Sequence, residues 1–385
     1  MIFFGILAVK TLQILGNSKY GGATYLVFEW CGFLLTNGWQ VDVLSTDQRT
    51  QEKLNELEGV NIIDHIFIPR EIHIYKHLKS LFSLYSFLKK QKYDVVHTYS
   101  ATPSVLGRFA ARLSRVKKIY HHQAGWTTIE AKNFLVKRIY KAIEYLAALT
   151  STCSICVSHA VHQQGVLENL APKNKLTVIC NGINPSPFLL PKNYALKAQF
   201  ALPIEAILLG TTGRLAPQKD LRTLIMSFAL LSKQNPKMGI YLFLAGSGDQ
   251  EEELKSIVKS LNLQSRIIFL GFYEDIPSFL SNIDVFVSTS LWEGLSISVM
   301  EAMAAAKPII VSSIPPNSEL IENNINGLTF PYGDHIALAQ ALTKLIKNKA
   351  LWEKYGAAAR GKLIKEYTID PMFAETYSLY MAEGQ

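Results

Sequence analysis

The sequence predicts an α/β protein built from two Rossmann-like parallel-sheet domains facing each other across a cleft. Three observations carry that expectation. The chain of 385 residues is too long for one ordinary core. Short apolar runs alternate with helix-length segments along it, and a proline- and asparagine-rich stretch interrupts the alternation near the middle.

The first set of apolar runs lies at Leu12–Leu15, Val41–Leu44, Ile62–Ile68, Val95–His97, Lys118–His121 and Ser154–Val157. Between them fall helix-length segments at Ala23–Asn37, Tyr75–Gln91, Pro103–Ser114, Phe134–Leu149 and His159–Leu167. Such alternation argues a parallel sheet covered by helices on both faces. Right-handed crossovers bring the loops after the strands to one edge, where ligands bind. The segment Asn181–Asn193, NGINPSPFLLPKN, reads as a linker. A second set follows, with strands at Ile207–Thr211, Ile240–Ala245, Ile267–Leu270, Val285–Ser288, Ile309–Val311 and Gly327–Phe330. Its helices are expected near Asp220–Gln234, Asp249–Leu261, Ile276–Ser281, Ser298–Ala305, Pro316–Glu322 and Asp334–Lys347, with a last helical pattern at Asp370–Ala382. The expected division is therefore 1–185, 186–366 and a tail at 367–385.

Composition narrows the class. Nearly half the residues are apolar and 18% are charged, as in a globular protein. Of the four cysteines, Cys153 and Cys156 form a C-x-x-C, but no second pair completes a zinc site. They sit in an alternating, strand-like run and read as small core residues, so a reducing compartment fits. The apolar start, Met1 to Val9, lacks the basic opening and cleavage site of a signal peptide and is too short to span a bilayer. Strand and glycine loop are already legible from Lys10, so the natural start is expected near Val9, with the first eight residues surplus. Residues 1–185 hold 21 Lys+Arg against 12 Asp+Glu, whereas the remainder is nearly balanced. A basic half points to an anionic lipid surface, a phosphorylated acceptor or a nucleic acid, and no recognition motif supports the last.

Three segments carry chemistry. In EGLSISVMEAMAAAKPIIVS, after a strand, Glu293 and Glu301 stand eight residues apart. Gly294 permits a tight turn, and Ser296 to Ser298 open a helix whose free N–H groups make an anion site. Carboxylates repel a diphosphate but hydrogen-bond vicinal hydroxyls, and a nucleotide sugar offers one diol on ribose and one on hexose. In ILLGTTGRLAPQKDLRTLIMSF, Arg214 and Lys219 flank a glycine-bearing loop and Asp220 is placed to cap the next helix. Two fixed cations stabilise the charge developing on a departing diphosphate without a metal. In GNSKYGGATYLVFE, Gly21 and Gly22 let backbone approach phosphates, although this is not the dinucleotide-binding glycine pattern. Surface carboxylates and solvated loop cations are the bland alternatives for each segment taken alone.

Together the segments resemble the retaining nucleotide-sugar glycosyltransferases of family 4, which have the two-domain GT-B architecture. The resemblance runs in order through Gly21–Ala23, DVVHTYS (Asp94–Ser100), VSHAV (Val157–Val161), VICNGIN (Val178–Asn184), GRLAPQKD (Gly213–Asp220) and LAGSGDQEEEL (Leu244–Leu254). It continues through FLGFYEDI (Phe269–Ile276), the two-glutamate segment and ENNINGLTFPYGD (Glu322–Asp334). It implies that Arg214 and Lys219 hold the diphosphate with backbone N–H groups of Gly22 and of Leu295, Ser296 and Ile297. It gives Glu301 to the ribose, Glu293 to the donor hexose, and the segment beginning Gly271–Phe272 to the nucleobase. A family histidine after a first-domain strand contacts the hexose. Here the segment reads KIYHHQAGW, with Gln123 and Ala124 before the glycine, so His121 and His122 are both candidates and His122 is preferred.

The implied reaction is a same-face displacement by a metal-independent hexosyltransferase with no cofactor. Its partners would be a UDP- or GDP-sugar donor and a glycan or lipid-linked acceptor in bacterial surface polysaccharide synthesis. The tail would cross back to the first, acceptor-binding domain. Lysine-dotted apolar helices at Leu78–Lys92 and Phe134–Thr150 are suited to lie on anionic lipid, placing the protein peripherally on the inner face of the cell membrane. The alternative is that their apolar faces are core. A nucleotide-sugar epimerase of the same build, or a non-catalytic sugar-nucleotide-binding subunit, are the rival functions.

Overall fold

The computed structural model describes residues 9–69, 73–126, 128 and 133–382. The expectation about the first eight residues lies outside them. The chain divides into two compact units, one made of residues up to Cys180 together with those from Pro371 onward, the other of Asn181–Asp370.

The first unit contains β1 (Lys10–Gly16), α1 (Gly22–Thr36), β2 (Gln40–Ser45), α2 (Gln48–Leu54), β3 (Val60–Ile63), α3 (Ile74–Gln91), β4 (Val95–Thr98), α4 (Ala101–Leu113), β5 (Lys118–Gln123), α5 (Phe134–Thr150), β6 (Cys153–Cys156), α6 (His159–Leu167) and β7 (Leu176–Val178). The described strands form one parallel sheet in the order β3-β2-β1-β4-β5-β6-β7. Alternation along β1 sends Leu12 and Ile14 into an apolar core with Leu84 and Leu88 of α3 and Ala110 of α4. Thr11 and Gln13 point to the opposite face and are fully buried there.

That second face is closed by α1 and by the last helix of the chain, α15 (Ile369–Met381). Trp30 of α1 packs on Phe373 and edge-on against Tyr380, while Tyr120 of β5 stacks on Tyr380 at 5.2 Å. The Tyr380 hydroxyl shares a 2.7 Å hydrogen bond with His97 Nδ1, and Lys118 Nζ donates to the Tyr380 carbonyl at 2.6 Å. Buried polar groups on this face thus find partners on a helix nearly 300 residues away.

The second unit contains α7 (Ala195–Gln199), β8 (Ile207–Thr212), α8 (Leu221–Gln234), β9 (Ile240–Ala245), α9 (Glu251–Ser260), β10 (Ile267–Gly271), α10 (Ile276–Asn282), β11 (Val285–Ser288), α11 (Ile297–Ala304), β12 (Ile309–Ser312), α12 (Pro315–Leu320), β13 (Leu328–Phe330), α13 (His335–Lys347) and α14 (Ala350–Glu366). Its described strands are parallel in the order β10-β9-β8-β11-β12-β13. Continuous apolar strands such as Leu208–Leu209 and Val285–Val287 are buried on both sides, as helices on both faces require.

Three local expectations are corrected. The apolar run Ile62–Ile68 pairs only as far as Ile63. Ile66 and Ile68 stay buried in the same core, so β3, at the sheet edge, ends before its hydrophobic content does. The short edge strand β7 was not expected, because Leu176–Val178 is brief and follows lysines. The 17-residue α14 was not expected either, since its buried face is Tyr355, Gly356, Ala359 and Leu363, too small and sparse to show a helical period.

Two glycines of α14 give opposite predictions. A Cβ on Gly356 falls 2.1 Å from the Ala306 carbonyl oxygen, whereas one on Gly361 meets nothing within 4 Å. Gly356→Ala is expected to destabilise by about 1–3 kcal/mol through overpacking, and Gly361→Ala to stabilise by about 0.5–1 kcal/mol through helix propensity, both read by urea denaturation.

Candidate active site

In the second unit the sheet order reverses between β8 and β11, and the two strongest sequence motifs follow these two neighbouring strands. Crevices at such a switch point are where open α/β sheets take ligands. The loop after β8 runs Gly213–Asp220 and then enters α8, with the Asp220 side chain accepting from the Thr223 N–H at 3.4 Å. It is pressed against the loop after β9. Leu215 N–H donates to the Ser247 carbonyl and Gln250 N–H to the Leu215 carbonyl, both at 3.0 Å. A Cβ on Gly246 lies 1.8 Å from the Gly213 carbonyl oxygen and one on Gly248 lies 2.3 Å from that of Leu215, so glycines are obligatory in this second loop.

The loop after β11 is fastened to the same edge. Leu291 N–H donates to the Gln218 carbonyl at 2.8 Å and Thr289 Oγ1 to the Lys219 carbonyl at 2.7 Å. Lys219 Nζ stands 2.5 Å from Glu293 Oε1, which also accepts from Ser290 Oγ at 2.7 Å. Gln218 Nε2 donates to the Trp292 carbonyl at 2.9 Å. Arg214 is exposed and lines a hollow with Lys219, Thr211 and Thr212, whose buried hydroxyl has no partner among the described residues.

The α11 helix begins in this loop. Gly294, Leu295 and Ser296 are buried, and the Ser296 side chain makes no cap bond, its hydroxyl lying 3.1 Å from that of Ser298. The N–H groups of the first turn, beginning at Ile297, thus have no acceptor inside the helix. One turn on, half-buried Glu301 has its carboxyl pushed up to about 8 by desolvation, with Lys219 drawing it partly back. Gly271 ends β10 in the left-handed region, and Phe272 beyond it is 46% exposed. The structure therefore gathers Arg214, Lys219, Glu293, Gly294, Leu295, Ser296 and Ile297 on the two loops flanking the switch point, with Glu301 electrostatically coupled to them through Lys219. Gly271 and Phe272 stand at the end of β10, two strands from β8.

In the first unit the order reverses between β1 and β4. Gly21 caps α1, its N–H donating to Thr24 Oγ1 at 2.7 Å, and both Gly21 and Gly22 are exposed. The loop after β1 touches that after β4 through Ser18 and Ser100 hydroxyls 2.5 Å apart. Strand alternation puts His121 and His122 on opposite faces. His121 is buried, with Nδ1 3.0 Å from the Thr98 carbonyl oxygen, and burial beside Arg108 holds it well below the usual histidine range. His122 lines a hollow with His97, Tyr99 and Trp30, and desolvation lowers it to about 4. Both imidazoles are neutral at pH 7.

Sequence reasoning missed several groups here. Among the described residues, His97 Nε2 is buried without a partner, and Gln123 ends β5 with Nε2 donating to the Gly125 carbonyl and Oε1 unmatched. Gln218 and Ser290 orient Glu293, and their positions beside Lys219 and three residues before Glu293 are the signal that could have found them. On β6, Cys156 is buried and Cys153 half-buried. Desolvation raises their thiols to about 12 and about 11, as for inert core residues.

A pH test follows from Glu301. Its folded-state value lies above the ordinary carboxyl value of 4.5, so its protonation favours the folded state. That contribution is complete below about 4.5 and is lost as pH rises through about 8. For one proton the slope reaches at most roughly 1.4 kcal/mol per pH unit, where the unfolded group is ionised and the folded one is not. Glu301→Gln is expected to flatten the pH dependence of thermal unfolding between 5 and about 8, measured by calorimetry across that window.

Comparison with known proteins bears on both units. Residues 20–187 match the family model described as Glycosyltransferase Family 4, and residues 195–362 match Glycosyl transferases group 1. The UDP-Gal:alpha-D-GlcNAc-diphosphoundecaprenol alpha-1,3-galactosyltransferase of Escherichia coli is 32% identical over 321 residues, covering 82% of this chain and 83% of that protein. The capsular polysaccharide biosynthesis glycosyltransferase CapM of Staphylococcus aureus is 25% identical, covering 90% and 91%. Among solved structures, Anabaena Alr3699/HepE in complex with UDP and glucose superposes with a TM-score of 0.81 at 19% identity, covering 96% of this chain and 99% of that one.

Proposed function

This chain belongs to the group 1, family 4 glycosyltransferases of the GT-B type, and on that premise we propose that it moves a hexose from a UDP-sugar to a lipid-linked glycan with retention of anomeric configuration. One observation carries the reading. At the switch point of the second unit, Arg214, Lys219, Glu293 and the uncapped start of α11 occupy neighbouring loops. Two cations and a row of N–H groups suit a diphosphate, and the acidic groups around them suit sugar hydroxyls. Uridine is favoured over guanosine because the E. coli relative is named for UDP-Gal and the Anabaena structure holds UDP. The same relative's name gives a diphosphoundecaprenol acceptor, which supports a lipid-linked one here.

In this mechanism the donor diphosphate takes Lys219 away from Glu293, which turns to the hexose hydroxyls. Arg214 and the N–H groups of Leu295, Ser296 and Ile297 complete the anion site. Glu301 holds the ribose diol, and Gly271 and Phe272 border the base. The bond from the anomeric carbon to the phosphate oxygen breaks as the acceptor oxygen approaches from the same face. The acceptor proton passes to the leaving phosphate, whose charge the cations and the α11 dipole stabilise without a metal. His122, neutral and next to Tyr99, is the histidine assigned to the hexose, with His121 held back by Thr98. The product belongs to surface polysaccharide synthesis, such as O-antigen or capsule, and the protein works at the cytoplasmic face of the membrane in peripheral contact with anionic lipid.

A thermal-shift screen with UDP- and GDP-sugars tests the donor site. A UDP-hexose is expected to stabilise the protein, and Lys219→Ala or Glu301→Ala to abolish the shift. Unchanged shifts in both variants would move the donor elsewhere. With a lipid-linked acceptor, Arg214→Ala is expected to lower kcat by roughly 100- to 1,000-fold. EDTA should leave the rate unchanged, and NMR of the product should show the donor's anomeric configuration.

A further inference from the structure

The α5 helix is turned inside out. Leu135, Ile139, Ala142, Leu146 and Leu149 follow a 4-3-4-3 spacing, the seam of a packed helix, yet the four large members are 49–64% exposed. Its buried side carries Glu144, Ala147 and Ala148 instead. The rotation is fixed by an ion pair. Arg108 of α4 is 1% exposed and its guanidinium lies 3.4 Å from the Glu144 carboxylate, so turning the leucines inward would strand a buried arginine. The sequence alternative in which this apolar face is core is therefore overturned.

The neighbouring surface continues the pattern. α4 packs between α3 and α5. On α3, Ile74 and Tyr75 are 77% and 80% exposed, and Leu78 and Phe82 follow on the next turns. Exposed cations stand among them at Lys76, Lys79, Lys89, Lys90, Arg112 and Arg138. α3 and α4 contain no acidic residue, and the single one in α5 is the buried Glu144. Glu168 pairs with Lys137 and Lys141 at 3.3 and 3.1 Å, and among the described residues Lys76, Lys79, Lys89, Lys90, Arg112 and Arg138 have no ion-pair partner.

We infer that the α3–α4–α5 face of the first unit seats on an anionic bilayer, with α5 lying in the plane of the headgroup–acyl boundary and its leucine stripe immersed. The inference deepens the proposed reading by naming the surface that meets the membrane carrying the acceptor, and it rests on that reading. Charge decides the occupant. A second copy of the chain would set these cations against one another, whereas acidic headgroups complement them. α5 lies on the membrane rather than across it, since no described helix is long and apolar enough to span one.

Flotation of the full-length protein with phosphatidylcholine vesicles, with and without about 30% phosphatidylglycerol, tests this. Binding is expected only to the anionic vesicles and should fall with salt. An Ile139→Ser/Leu146→Ser double variant should weaken it by about tenfold or more, as should Lys76→Glu/Lys79→Glu. Both pairs are exposed, so thermal unfolding should be unchanged. Wild-type protein that fails to float, or variants that float equally, would overturn the inference. A dimer in light scattering that the serine variant makes monomeric would overturn it in favour of self-association. The UDP-hexose shift, which belongs to the second unit, should survive in every variant, so loss of the membrane surface and loss of the donor site are read separately.

Discussion

A parallel sheet with right-handed crossovers has one edge at which every strand hands over to a loop, and one place along that edge where successive loops diverge to opposite faces. The chemistry of this chain depends on that constraint. In the second unit the divergence falls between β8 and β11, so two segments some 80 residues apart in sequence, GRLAPQKD and TSLWEGLS, become neighbours without any contact having to be invented to join them. The first unit repeats the scheme between β1 and β4, where Ser18 of the loop after β1 meets Ser100.

What the constraint assembles is a cluster of charged groups around the start of α11. Lys219 is neutralised by Glu293, Arg214 is exposed, the start of α11 lacks a cap, and Glu301 resists ionising. On the proposed reading, the raised Glu301 carboxyl and the uncapped start of α11 complement a ligand that is anionic in the middle and rich in hydroxyls on both sides. The bonds of Gln218 and Ser290 to Glu293 hold that carboxylate in place ahead of any ligand.

Much of this was legible in the sequence, because parallel strands buried on both faces are continuous apolar runs and the loops between them carry their chemistry in order. Legibility ended where burial and periodicity part company. Ile66 and Ile68 look like strand but are core without a ladder. α14 packs through Tyr355, Gly356, Ala359 and Leu363, of which only two are large, so its apolar stripe is too thin to stand out in a search. α5 shows a stripe, but no periodicity can say whether a stripe points in or out; that is decided by Arg108, thirty-six residues upstream of its partner. The histidine pair was ambiguous for a similar reason, since adjacent strand residues face opposite ways and only the partners of each, Thr98 for one and Tyr99 for the other, tell them apart.

The return of α15 to the first unit has a consequence for biosynthesis. Trp30, Trp39 and Tyr120 leave the ribosome well before the aromatic ring that covers them, which belongs to Tyr380 on α15. Until α15 has been synthesised, one side of the first sheet stands open, with Gln13 and His97 unsealed beneath it. The second unit, continuous in sequence, has no such wait. The expected order of maturation therefore runs against the order of synthesis, the later-made half closing first, and the nascent chain is most exposed to chaperones and misassociation during that interval.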